Sequence, residues 1–153
     1  MSIQAYYTHT NLIARDWRRL ADFYVQVFGC EILLPERHLT QPWVAAATGV
    51  PGAEIHGAHL RLPGFPPGGP TLEIFQYNTL AVGAEPAVNR PGFGHLAFVV
   101  EDVSAALEAV LAAGGGVLGA LVRVEVPGAG KLAFVYARDP EGNILELQKW
   151  ERS

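Results

Sequence analysis

His9-Thr-Asn-Leu-Ile-Ala-Arg-Asp16 and His95-Leu-Ala-Phe-Val-Val-Glu-Asp102 are the two stretches that decide how this chain is read. Each opens on a histidine and reaches an aspartate at the same distance. Gly29 and Gly115 then close the two segments in the same register. Each half also ends in a matching strand, Leu72-Glu73-Ile74 and Leu145-Glu146-Leu147. The chain is therefore an internal repeat, and each copy offers one His near its start and one Glu near its end. Core packing does not require matched polar residues at both repeat positions. Two imidazoles and two carboxylates are a four-ligand set suited to a divalent transition ion.

Outward from these stretches, Tyr6 to Ala14 has strand character. Trp17, Leu20, Ala21, Tyr24, Val27 and Phe28 then recur at helical spacing, and Gly29 suits the left-handed position that ends a helix. Strands are expected around Glu31–Pro35, Ile55–Leu62 and Thr71–Tyr77. Residues 36–53 are broken by Pro and Gly, and Trp43–Ala47 reads as a strand or a short helix. Pro63–Pro70 is a loop, since its Pro and Gly residues forbid a regular ladder. Residues 78–93 connect the halves. In the second half, Gly94–Val100 reads as a strand, Ser104 as an N-cap and Ala105–Ala113 as a helix. Strands follow at Val117–Val126, Lys131–Arg138 and Ile144–Trp150. Pro127-Gly128-Ala129-Gly130 and Asp139-Pro140-Glu141-Gly142-Asn143 supply the turns. The order is β-α-β-β-β twice. The fold class is α+β: two βαβββ modules in tandem, at about 5–77 and 94–150, within a single domain.

With 153 residues, half of them apolar, and a net charge of −4, the composition is that of one globular domain. It offers no basic stripe for nucleic acid; the only lysines are Lys131 and Lys149. Cys30 is the sole cysteine, which excludes an intrachain disulfide and fits a cytoplasmic setting. No signal peptide or apolar run of membrane-spanning length is expected.

Together with Phe23-Tyr24, Phe28-Gly29, Gly94-His95 and the ending Arg138-Asp-Pro-Glu-Gly-Asn-Ile-Leu-Glu146, these motifs resemble the vicinal oxygen chelate superfamily. That group includes glyoxalase I, methylmalonyl-CoA epimerase, extradiol dioxygenases, and fosfomycin- and bleomycin-resistance proteins. The Asp-Pro-Glu-Gly-Asn-x-x-Glu ending is the most specific of them. The resemblance implies sheets curled into a cupped mixed sheet around an ion. Carried over, the metal ligands are His9, Glu73, His95 and Glu146. It also implies a homodimer and a small-molecule substrate with two vicinal oxygens. Imidazole and carboxylate suit Zn, Ni, Co, Mn or Fe(II). As a Lewis acid the ion would stabilise an enediolate or enolate, with Glu146 or Glu73 as the base.

The favoured function is thus a metal-dependent lyase or isomerase, glyoxalase I-like or epimerase-like. One alternative is an extradiol-type Fe(II) dioxygenase using His9, His95 and Glu146. Another is a metal-free drug or metabolite binding protein, since the fold alone does not settle function. Thiol transfer to fosfomycin is disfavoured by the scarcity of lysine.

Four further residues are candidates for substrate contact. Asn11 shares the face of His9. His59 and Arg61 share a face and could meet an anionic substrate, although the sheet surface is preferred. Tyr136 shares a face with Phe134 and Arg138 and could line the pocket wall. Arg15, Arg37 and Asn78 are available for glutathione, without a placement. His56 and His59, three apart on a strand, face opposite sides. His38 is expected in irregular, solvated chain. Cys30 reads as a buried small residue. Asp16 and Asp102 read as carboxylates favoured near helix N-termini, not as ligands.

Overall fold

The computed structural model describes residues 1–151. They divide into two compact units, Met1–Val82 and a second from Gly83 onward. The first unit runs β1 (His9–Ile13), α1 (Trp17–Phe28), β2 (Glu31–Leu39), α2 (Pro42–Thr48), β3 (Ile55–Arg61) and β4 (Thr71–Tyr77). The second runs β5 (Leu96–Val99), α3 (Val103–Ala112), β6 (Gly116–Val117), β7 (Val122–Val126), β8 (Gly130–Arg138) and β9 (Ile144–Glu151). The architecture is α+β with one mixed sheet per unit, of four and five strands.

The repeat written in the sequence is a repeat of topology. In the first sheet the order is β1-β4-β3-β2; in the second it is β5-β9-β8-β6, with β7 also on β8. In both, the first strand lies parallel to the last. One face of each sheet is covered by a helix. Leu20, Ala21 and Tyr24 of α1 are buried with Ala58, Leu60, Leu72 and Ile74 of β3 and β4. Val103 and Val110 of α3 are buried with Val135, Ala137, Leu145 and Leu147 of β8 and β9. Because side chains alternate along a strand, the residues between these apolar positions point to the opposite face. Glu73 falls between Leu72 and Ile74, and Glu146 between Leu145 and Leu147. Burying the helix side therefore aims both carboxylates away from the helix.

Local signals set the helix ends. Asp16 and Asp102 are N-caps: their carboxylates accept from the Arg19 and Ala105 N–H groups at 3.1 and 2.9 Å. Gly29 takes the left-handed conformation (φ 70°), and the Cys30 N–H returns to the Tyr24 carbonyl at 3.2 Å. Gly57 leaves space for β4, since a Cβ there would fall 2.0 Å from the Ile74 carbonyl oxygen.

Four expectations need correction. The α3 cap is Asp102 rather than Ser104, because Val103 belongs to the buried helical stripe with Val110 and draws the first turn upstream. β2 does not stop near Pro35 but continues to Leu39. Its register shifts between Leu33 and Arg37, around a proline with no N–H to give the ladder. His38 consequently lies in a strand, not in irregular chain. The expected strand Val117–Val126 is two strands, interrupted where the Leu118 and Gly119 N–H groups both turn to the Tyr136 carbonyl at 3.0 and 3.4 Å. The Trp43–Ala47 ambiguity resolves as helix α2, with Pro42 in its first turn and Val44 packed with Ala53 and Ile55. Among the described residues, no helix is long and apolar enough to cross a membrane.

Candidate metal centre

In each unit the parallel pairing of the first and last strands sets a His beside a Glu. Glu73 pairs with Asn11, two residues past His9. Glu146 pairs with Ala97, two residues past His95. The repeat thus holds to the single residue. His9 Nε2 lies 3.5 Å from Glu73 Oε1, and His95 Nε2 lies 2.9 Å from Glu146 Oε2. The exposures match as well: the Glu73 and Glu146 side chains are 12% and 14% accessible and those of His9 and His95 35% and 34%.

The first unit carries more than this. β3 pairs antiparallel with β4 so that His59 stands opposite Glu73. His59 Nε2 lies 2.7 Å from Glu73 Oε2, and its Nδ1 lies 2.8 Å from Thr71 Oγ1. A carboxylate only accepts, so Nε2 carries the proton and Nδ1 accepts from the threonine hydroxyl. Burial holds the His59 imidazole below the usual histidine range, with the Glu73 carboxylate acting in the opposite direction. Asn11 Nδ2 donates to Glu73 Oε1 at 2.9 Å. Donor atoms of His9, His59 and Glu73 all lie within 4.8 Å of one another. This trio could hold a divalent transition ion only with the proton gone from His59 Nε2.

Of the two placements the sequence left for His59, pocket or sheet surface, the preferred surface gives way to one beside Glu73. The neighbour of His59 on the same face, Arg61, is ion-paired to Glu31, which stands opposite it on β2. Asn11 shares the His9 face as expected and spends its amide on Glu73. Tyr136, opposite Glu146 on β8, sets its ring against His95 with centroids 5.1 Å apart. Arg138 is neither exposed nor a wall residue. Its guanidinium donates to the Gly142 and Pro86 carbonyls at 2.8 and 3.1 Å, tying the β8–β9 turn to the segment before β5. His56 does face away from His59; it stacks on His38 with ring centroids 4.1 Å apart. Cys30 is buried, and burial pushes its thiol up to about 11.

A parallel first-to-last strand ladder is thus repeated, each time with a His–Glu pair on the face away from the helix. The chain belongs to the Glyoxalase/Bleomycin resistance protein/Dioxygenase superfamily, whose family model matches residues 7–147. It is 30% identical over 139 residues to a probable lactoylglutathione lyase of Vibrio parahaemolyticus, covering 91% of this chain and 86% of that protein. A probable lactoylglutathione lyase of Vibrio cholerae is also 30% identical, over 142 residues, with the same coverage. Among solved structures, the fold is similar to a glyoxalase family protein from Bacillus cereus. There the TM-score is 0.81 at 17% identity, over 97% of this chain and 96% of that one. A glyoxylase/bleomycin resistance protein/dioxygenase domain from Frankia sp. matches with a TM-score of 0.61 at 22% identity, over 98% of this chain and all of that one.

Proposed function

We propose that this protein is a metal-dependent lyase of the lactoylglutathione lyase type, with His9, Glu73, His95 and Glu146 as its metal ligands. The observation that carries this reading is the His–Glu pair repeated in identical register. The names of the two Vibrio relatives support the same reaction class. The ion, when bound, supplies Lewis-acid polarisation of two adjacent substrate oxygens. The chain supplies the proton transfer. A carboxylate removes the proton from the carbon beside a carbonyl and returns it to the neighbouring carbon, while the hydroxyl proton passes to the former carbonyl oxygen, so that a hydroxy-carbonyl pair becomes its isomer with no net change in protons.

Glu146 is assigned as that base. Glu73 is held at both oxygens, by Asn11 and His59, whereas Ala97 and Tyr136 occupy the matching positions around Glu146 and give it no such hold. A base must be able to move between two carbons, and the less restrained carboxylate suits that task. The homodimer implied by the resemblance forms part of this reading and is tested by sedimentation.

The test is elemental analysis of untagged protein, repeated on His95→Ala, alongside formation of S-lactoylglutathione from glutathione and the corresponding 2-oxoaldehyde. The expected result is about one equivalent of Zn, Ni, Co or Mn per chain, lost in the variant together with activity. Iron with no lyase activity would move the assignment to catechol cleavage. Metal-free protein, even after reconstitution, would move it to a binding protein.

A further inference from the structure

The two halves of the repeat agree at His9/His95 and Glu73/Glu146 but differ in what surrounds each glutamate. We propose that His59 is a positioning residue that tethers Glu73 as a fixed ligand, so that the carboxylates of the two halves have separate duties. This rests on the metal-binding reading above.

The tether is specific in its geometry. His59 Nε2 holds Glu73 Oε2 at 2.7 Å, and Asn11 Nδ2 holds Oε1 at 2.9 Å. His59 is itself fixed, because its other ring nitrogen accepts from Thr71 at 2.8 Å. Thr71 and Glu73 are two apart on β4 and therefore share a face, so one strand presents both the carboxylate and the group that orients its partner. In the second unit the same register puts Tyr136 opposite Glu146 and Ile144 in the place of Thr71. Ala97, in the place of Asn11, has only a methyl group. Among the described residues, His95 is the one polar side chain that holds Glu146.

Hydrogen bonds to a metal-binding carboxylate fix its orientation, and losing one weakens metal affinity about 10–100-fold. A tethered carboxylate also resists leaving the ion. The asymmetry therefore does two things at once: it fixes the first unit's carboxylate as a ligand and leaves the second unit's carboxylate able to move.

The experiment is titration of full-length apoprotein with Co(II) in competition with a chromophoric chelator. His59→Ala is expected to weaken Co(II) binding about 10–100-fold while the apoprotein stays folded, its melting temperature lowered by no more than about 10 °C. His59→Gln, whose amide still donates to Glu73, is expected to recover most of that loss. The reciprocal variant, Tyr136→His, places an imidazole opposite Glu146. It is expected to bind Co(II) at least as tightly as wild type and to lower kcat about tenfold or more without raising KM. Unchanged Co(II) affinity in His59→Ala overturns the proposal. So does a Gln variant no better than Ala, which would make His59 itself a ligand. Wild-type protein that binds no Co(II) would instead remove the metal reading, and this inference with it.

Discussion

Replacing Glu146 by Gln is expected to lower kcat of the metal-saturated protein by about three orders of magnitude. The amide keeps the shape of the side chain and can still meet His95, 2.9 Å away from the carboxylate in the native protein. What it cannot do is take a proton from carbon. Metal retention on dialysis is expected to fall too, since an anionic donor becomes neutral, but by less than the rate does. His56→Ala is the matched control: it removes an exposed imidazole stacked on His38 and aimed away from Glu73. It should change neither metal content nor rate, and should move stability by no more than about 0.5 kcal/mol. Steady-state kinetics with metal analysis of both variants decides the matter. Equal metal loss in the two would sink the ligand set.

The second large effect concerns Asp139, which is 3% exposed. Its carboxylate gathers the β8–β9 turn. Oδ1 accepts from the Glu141 and Asn143 N–H groups at 2.9 and 3.0 Å, and Oδ2 from Asn143 Nδ2 at 2.8 Å. The Asp139 N–H in turn donates to the Asn143 carbonyl at 2.9 Å, and Gly142 supplies the positive φ (90°). Asp139→Ala strands those donors, each bond to a charged group being worth about 1.5–3 kcal/mol. The expected cost is about 3–4 kcal/mol, a fall of about 10 °C in Tm for a chain this size. Asp139→Asn, which retains an acceptor, should recover about half. Thermal unfolding of the two variants checks this, and a loss below about 1 kcal/mol in Asp139→Ala would remove the carboxylate from its organising role. The most family-specific motif in the sequence, Asp-Pro-Glu-Gly-Asn, is on this account a scaffold that starts β9 in the register that aims Glu146.

Those two sites also mark what could be read from residues alone. Strand β4 and helix α1 were legible to the residue, because apolar period and a terminal glycine signal them locally. The His–Glu pairs were legible because they occur twice. His59 was not, because its meaning depends on pairing across the Pro63–Pro70 loop. A strand read by itself tells which residues share a face, not which residue of the neighbouring strand stands opposite. His38 was missed for a related reason: a proline suggested a stop, while the strand absorbed it by shifting register. Asp102 was recognised as favourable before a helix but not as the cap itself. That depended on Val103 facing the buried side.

Since β1 and β4 bracket the first unit, and β5 and β9 the second, neither His–Glu pair exists until the last strand has docked beside the first. About sixty residues separate the partners in the first unit, so the pair is among the late, non-local events of folding. An ion bound there would recognise only the finished unit, and mass action would then favour the folded state of the whole unit rather than of one loop. Where the folded protein takes up the ion, slow uptake during refolding would report a chain that has not yet completed its sheet, well before any assay of turnover.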